Sequence, residues 1–192
     1  MPMSGRPCQH ESVTSASTPR VTPPDLLEGE GCWLRALSAR DWAIEQAMSL
    51  DPEVVKWTYY PSEMTEADSR RRIDRSLERS KQGLVRRYVI FGGGDEPVGT
   101  CGIGELQSDC PRVSYAVLPH ARRRGFATRV TLLLAEWALA VGYPTVSLET
   151  IEGNVASEGV AIRAGFAPVE RYLADHRGRK AWLTLWTRAV AD

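Results

Sequence analysis

Most of the residues that could do chemistry fall in one run, Pro119-His120-Ala121-Arg122-Arg123-Arg124-Gly125-Phe126-Ala127-Thr128. It lies between a stretch that alternates apolar with polar residues and a longer one whose apolar residues recur at helical spacing. A strand-to-helix turn is therefore expected there. The first N–H groups of a helix lack intrahelical partners and sit at the positive end of its dipole. Three arginines and a glycine at that point suit a phosphate or pyrophosphate. Gly125 would let the backbone come close to such an anion, and Ala127 keeps the turn small. The other reading is a solvated charge run with a glycine that only turns the chain. The run matches neither the G-x-x-x-x-G-K-[ST] loop nor G-x-G-x-x-G, which disfavours a nucleoside triphosphatase or a dehydrogenase.

The elements that must position this run can be read on both sides of it. Residues 112–118 alternate, with Val113, Tyr115 and Val117 on one face, and stop at Pro119. Beyond Gly125, Phe126, Val130, Leu133, Leu134, Trp137, Ala138 and Val141 line one face of a helix that Gly142 closes. Upstream, residues 32–37 read as a strand. Ser38 and Asp41 form a helix start, and that helix should end near Asp51-Pro52. An aromatic segment with Trp57, Tyr59 and Tyr60 follows, and Thr65 with Asp68 opens a helix to about Gly83. Residues 88–91 and 98–103 form a hairpin across Gly92-Gly93-Gly94-Asp95. Downstream come a strand over 145–151, a helix from Asn154 to Gly165, and two strands at 166–173 and 180–188 joined by Asp175-His176-Arg177-Gly178. Residues 1–30, rich in Ser, Thr, Pro and Gly without hydrophobic period, read as a flexible tail. Residues 31–190 then form a single α+β domain.

Composition narrows the function classes. The 192 residues carry 24 Lys+Arg against 24 Asp+Glu, a formal net charge of +0, which disfavours a dedicated nucleic-acid binder. No run of eighteen apolar residues could span a bilayer, and the N-terminus lacks the basic-then-apolar order of an export signal. A cytoplasmic location is therefore expected. Cys8, Cys32, Cys101 and Cys110 include no C-x-x-C pair and read as free thiols. His10, His120 and His176 are too dispersed for a metal site, so none is expected.

The pattern P-x-x-R-x-x-G-x-A after an alternating strand resembles the acetyl-CoA pyrophosphate loop of the GNAT superfamily of N-acetyltransferases. Two further blocks agree. Asn154-Val155-Ala156-Ser157 followed by Arg163-Ala164-Gly165-Phe166 is similar to N-x-A-S…K-x-G-F, and Asp51-Pro52-Glu53-Val54-Val55 resembles the branch that acetylates the N-terminal alanine or serine of ribosomal proteins. The blocks cover about residues 32–188. The resemblance implies a mixed, mostly antiparallel sheet of about six or seven strands flanked by about four helices. It implies acetyl-CoA as co-substrate, no metal, and direct attack on the thioester by a primary amine, either a protein N-terminus or a small molecule. It implies no membrane partner and leaves a homodimer open. The backbone of Tyr115, Ala116 and Val117 would hold the pantetheine arm. Arg122, Arg123, Arg124, Gly125, Phe126, Ala127 and Thr128 would wrap the pyrophosphate. Asn154 would touch coenzyme A, cap its own helix, or do both.

Amide formation needs a neutral amine and a stabilised thiolate. An α-amine with a pKa near ~8 is partly neutral at pH 7, whereas a lysine near ~10.4 is not. Glu149, five residues before Asn154, matches the family's base in one branch; otherwise it is a solvent-facing strand carboxylate. Many relatives carry a tyrosine where this chain has Ala161. Ser157 is then the leading substitute as support for the sulfur, unless it is an ordinary first-turn serine. Tyr115 is a second candidate or a packed aromatic. Arg112 stands where relatives often have a glutamate. Trp57, Tyr59 and Tyr60 would wall the acceptor groove or pack in the core. Arg70, Arg71, Arg72, Arg75, Arg79 and Lys81 read as a solvated helix face against Asp68, Asp74 and Glu78, or else as a surface for RNA or an acidic partner. A non-catalytic acyl-CoA-binding module, lacking the tyrosine at 161, is the competing reading.

Overall fold

A computed structural model describes residues 21–190. Cys8, His10 and most of the expected tail lie outside the described residues. Eight strands form one sheet in the order β1-β2-β3-β4-β5-β6-β8-β7. They are β1 (Leu26–Gly29), β2 (Cys32–Ala36), β3 (Val85–Phe91), β4 (Pro97–Gly104), β5 (Arg112–Val117), β6 (Thr145–Ile151), β7 (Ala167–His176) and β8 (Arg179–Ala189). All neighbours are antiparallel except β5 and β6. The helices are α1 (Trp42–Ser49), α2 (Pro52–Trp57), α3 (Glu66–Lys81), α4 (Phe126–Ala140) and α5 (Val155–Arg163). The α+β mixed sheet is the expected one, with more elements than the six or seven strands and four helices read from sequence.

Both extra elements have a physical cause. Strand β1 lies within the stretch read as tail, and only Leu27 on it packs against the core, so it shows no alternation. Pairing alone specifies it, Leu26 opposite Arg35 and Gly29 opposite Cys32. Helix α2 arises because Pro52, expected only to end a helix, also begins one. Asp51 accepts from the Glu53 N–H at 2.9 Å as N-cap, and Pro52 takes the first helical position, where a missing N–H costs nothing.

Two apolar layers sandwich the sheet. On one face Phe126, Val130, Leu134, Ala135 and Ala138 of α4 pack with Ile103, Val113, Val117, Val146, Leu148 and Trp186. On the other, Ile44, Met48, Val54, Met64 and Ile73 from the three N-terminal helices and their connections cover Val89, Phe91 and Ala116. Helix α3 begins with the expected box, in which Thr65 Oγ1 accepts from the Asp68 N–H at 3.2 Å. Arg70 and Arg71 pair on its surface with Glu66 and Asp68, as a solvated face should. Arg72 instead turns inward. The β7–β8 turn is tighter than the expected four residues: Arg177 and Gly178 both have positive φ, 58° and 77°, the two-residue turn that matches strand twist.

Candidate active site

The parallel strands β5 and β6 meet at their beginnings and then part. Arg112 opposite Ser147 is the one registered pair among the described residues, reinforced by the Ser147 N–H donating to the Pro111 carbonyl at 2.9 Å. Beyond it, β5 stays in register with β4 as far as Val117, and β6 with β8 as far as Ile151. A wedge opens between them. The backbone edge of Tyr115, Ala116 and Val117 borders it, and these main-chain groups can pair with an extended amide-bearing ligand as a strand would.

At the wide end β5 runs into the arginine loop. Pro119–Ala121 form a single 3-10 turn, Arg122 is extended, and Arg123 and Gly125 take left-handed φ values of 61° and 83°. These left-handed residues turn the chain sharply into the start of α4. Gly125 is the N-cap of α4 and supplies no side-chain cap, so the N–H groups of Phe126, Ala127 and Thr128 remain for a ligand. A Cβ on Gly125 would lie 3.3 Å from Arg129 Nη2 in a backbone conformation that L-residues avoid. Arg124 and Arg129 hold guanidinium carbons 5.3 and 5.4 Å from the Phe126 ring centroid. The Arg122 side chain has partners within the chain: its Nε donates to the Val117 carbonyl at 3.1 Å and its Nη2 to Asp51. Its side chain is a strut between the loop and the N-cap of α2.

On the α5 side of the wedge, Asn154 Oδ1 accepts from the Ser157 N–H at 3.1 Å, which makes it the helix cap. The Ser157 hydroxyl lies 2.7 Å from the Tyr115 phenol oxygen. Burial pushes the Tyr115 phenol up to about 12, against the opposing influence of Ser157 and Arg163. Ala161 is fully buried, so α5 brings no hydroxyl of its own from that position.

Glu149 faces the other side. On β6, Val146 and Leu148 point into the layer beneath α4, so Ser147 and Glu149 point toward the N-terminal helices. Glu149 Oε1 accepts from Arg112 Nη1 at 2.7 Å and from the Tyr172 hydroxyl. Arg112 also reaches Glu105 at 3.4 Å. Sequence reading missed this bracket, because Tyr172 lies on another strand and nothing in its local pattern marks it.

The expected acceptor wall divides. Trp57 donates to Glu53 Oε2 at 2.9 Å, carries Lys56 over its ring, and stands next to Gly153, just before Asn154. Tyr59 is 62% exposed and meets His176 edge-on at 4.9 Å. Tyr60 takes the core-packing alternative and not the wall: only 5% exposed, it has its hydroxyl within 3.0 Å of Glu45, Thr100 and Arg87. Glu45 is completely buried there. Burial pushes its carboxyl up, but the Arg87 and Arg72 charges and the bonds from Arg87 and Tyr60 outweigh that and hold it below its ordinary range. Arg177 donates to the carbonyls of Val55, Thr58 and Tyr60, and the His176 Nε2–H to that of Lys56 at 3.0 Å. Helix α2 is thus fixed at one end to the arginine loop and at the other to the β7–β8 hairpin.

Among the described residues, no group of three or more His, Cys, Asp and Glu could hold a metal ion. No described helix is long and apolar enough to cross a membrane. Cys32, Cys101 and Cys110 are buried free thiols.

The family described as acetyltransferase (GNAT) domain matches residues 32–167. No curated protein matches the sequence at a significant level. Solved structures similar to this one include RimL, a ribosomal L7/L12 α-N-protein acetyltransferase in complex with coenzyme A. It has a TM-score of 0.77 at 16% identity over 86% of this chain and 98% of that one. The microcin C7 self-immunity acetyltransferase MccE, in complex with acetyl-CoA and AMP, gives 0.77 at 14% over 84% and 94%. A probable GNAT-family acetyltransferase from Chromobacterium violaceum gives 0.77 at 20% over 96% and 97%. At these identities the likeness shows a shared fold.

Proposed function

The chain belongs to the GNAT acetyltransferase family, and on that premise we propose that it transfers the acetyl group of acetyl-CoA to a primary amine by direct attack on the thioester. The acceptor is a protein N-terminus or a small-molecule amine. The observation that carries this reading is the wedge between β5 and β6, with a hydroxyl pair on one side and a carboxylate on the other. The edge of Tyr115, Ala116 and Val117 holds the pantetheine arm, and the loop from Arg123 to Thr128 holds the pyrophosphate. Asn154 sets the α5 terminus beside the arm.

The two sides divide the chemistry. Trp57 and Tyr59 line the approach of the amine, and Glu149 orients it and accepts its proton. The Arg112 guanidinium, 2.7 Å from Glu149 Oε1, fixes where the carboxylate points. An α-amine is already partly neutral at pH 7 and a lysine side chain is not, which favours an α-amine as acceptor. Ser157 supports the sulfur as negative charge develops on it.

Thiol release from acetyl-CoA with a panel of peptides and small amines tests the reading. Release that depends on a free α-amine, and is weak with N-terminally blocked lysine peptides, is the expected result. Coenzyme A binding with no amine-dependent release would replace it with the non-catalytic acyl-CoA-binding module.

A further inference from the structure

We infer that the Tyr115 phenol is a positioning residue for thiol departure: it donates its O–H to the Ser157 hydroxyl and so turns the serine proton toward the leaving sulfur. This rests on the proposed acetyl transfer and adds a residue to it. The two oxygens are 2.7 Å apart, and each hydroxyl has a single proton to give. A serine in the first turn of a helix readily turns its O–H onto local backbone groups. Here the phenol occupies an acceptor lone pair of Ser157, while Asn154 holds the Ser157 backbone N–H at 3.1 Å. The serine proton is left to point into the wedge.

The phenol is well suited to donating without ionising. It is clamped in the layer beneath α4, and burial keeps it protonated up to about pH 12. Strand β5 therefore supplies, through a serine, the phenol that position 161 of α5 does not. During transfer the C–N bond forms and the C–S bond breaks with its electron pair staying on sulfur. The amine proton leaves by way of Glu149 to solvent, and the thiolate later takes a proton from solvent. Tyr115 and Ser157 keep theirs throughout.

Tyr115→Phe, Ser157→Ala and the double variant of the full chain test the inference, since Phe preserves the packed ring. Two readouts are taken: kcat with KM for acetyl-CoA, and the pKa of bound coenzyme A thiol by ultraviolet titration of the thiolate. Loss of one hydrogen bond predicts a drop in kcat of about three- to tenfold for Tyr115→Phe. KM should be unchanged, and the bound thiol pKa should rise by about half a unit to one unit. The double variant should be no worse than Ser157→Ala, because the phenol acts through the serine. Wild-type kcat and thiol pKa in Tyr115→Phe would overturn the inference, as would losses that multiply in the double variant. A thiol shift without transfer to any amine would instead overturn the catalytic reading and leave the hydroxyl pair standing.

Discussion

Replacing Glu45 by Gln removes the one negative charge from the buried group under the acceptor face. The carboxylate is fully inaccessible and takes bonds from Arg72 at 2.8 Å, Arg87 at 2.6 Å and Tyr60 at 3.0 Å. Glutamine keeps the volume but leaves two guanidiniums without their counter-charge. Removing one partner of a buried pair costs about 3–5 kcal/mol. Arg72 and Arg87 are still 25% and 17% exposed, so partial hydration places the loss near the lower end, about 3 kcal/mol. For a chain of this size that is a fall in Tm of roughly 6–12 °C. The sign with pH follows from the lowered Glu45 carboxyl. Its stabilisation is complete above the unfolded value near ~4.3 and is lost as the pH falls through the lower folded value. Urea unfolding followed by circular dichroism at pH 7 and at a series of acid pH values measures both effects. A variant as stable as wild type at pH 7, or a difference that persists undiminished in acid, would refute this view of the cluster.

Gly125→Val should weaken coenzyme A binding at least tenfold by calorimetry, since the left-handed backbone and Arg129 both oppose a side chain there. Arg122→Ala should lower Tm more than it lowers coenzyme A affinity, because its guanidinium holds Asp51 and the Val117 carbonyl; a selective loss of affinity would return it to the pyrophosphate site. Glu149→Gln should reduce kcat by about 10²–10⁴-fold at pH 7. That deficit should narrow as the pH approaches the amine's own pKa, and a pH-independent deficit would show that the carboxylate does not accept the proton.

The parts of the fold with strong periodicity were legible. Phe126, Val130, Leu134 and Ala138 marked the buried face of α4, and Val113 and Val117 that of β5. The arginine loop and the Asn154 cap could be read because helix termini impose local residue types. Helix α2 was hidden because Asp51-Pro52 is both a helix end and a helix start, and only packing against Arg122 and Arg177 shows which follows. For Tyr60 the acceptor wall and the core stay open in the sequence because exposure cannot be told from type; Glu45, 15 residues away, is what draws it inside. The Arg112–Glu149–Tyr172 bracket joins residues distant in sequence through strand register, and the Tyr115–Ser157 pair through the seating of α5 beside β5, neither of which local pattern encodes. The site's frame and its candidate residues were therefore readable, and the pairings among them were not.

Mass analysis of a peptide with a free N-terminus and an internal lysine, incubated with the full chain and acetyl-CoA, tests the central claim most directly. A single acetyl group on the α-amine, formed in step with coenzyme A release and reduced in Glu149→Gln, is the expected result. An unmodified peptide, across acceptors and with coenzyme A demonstrably bound, would contradict it.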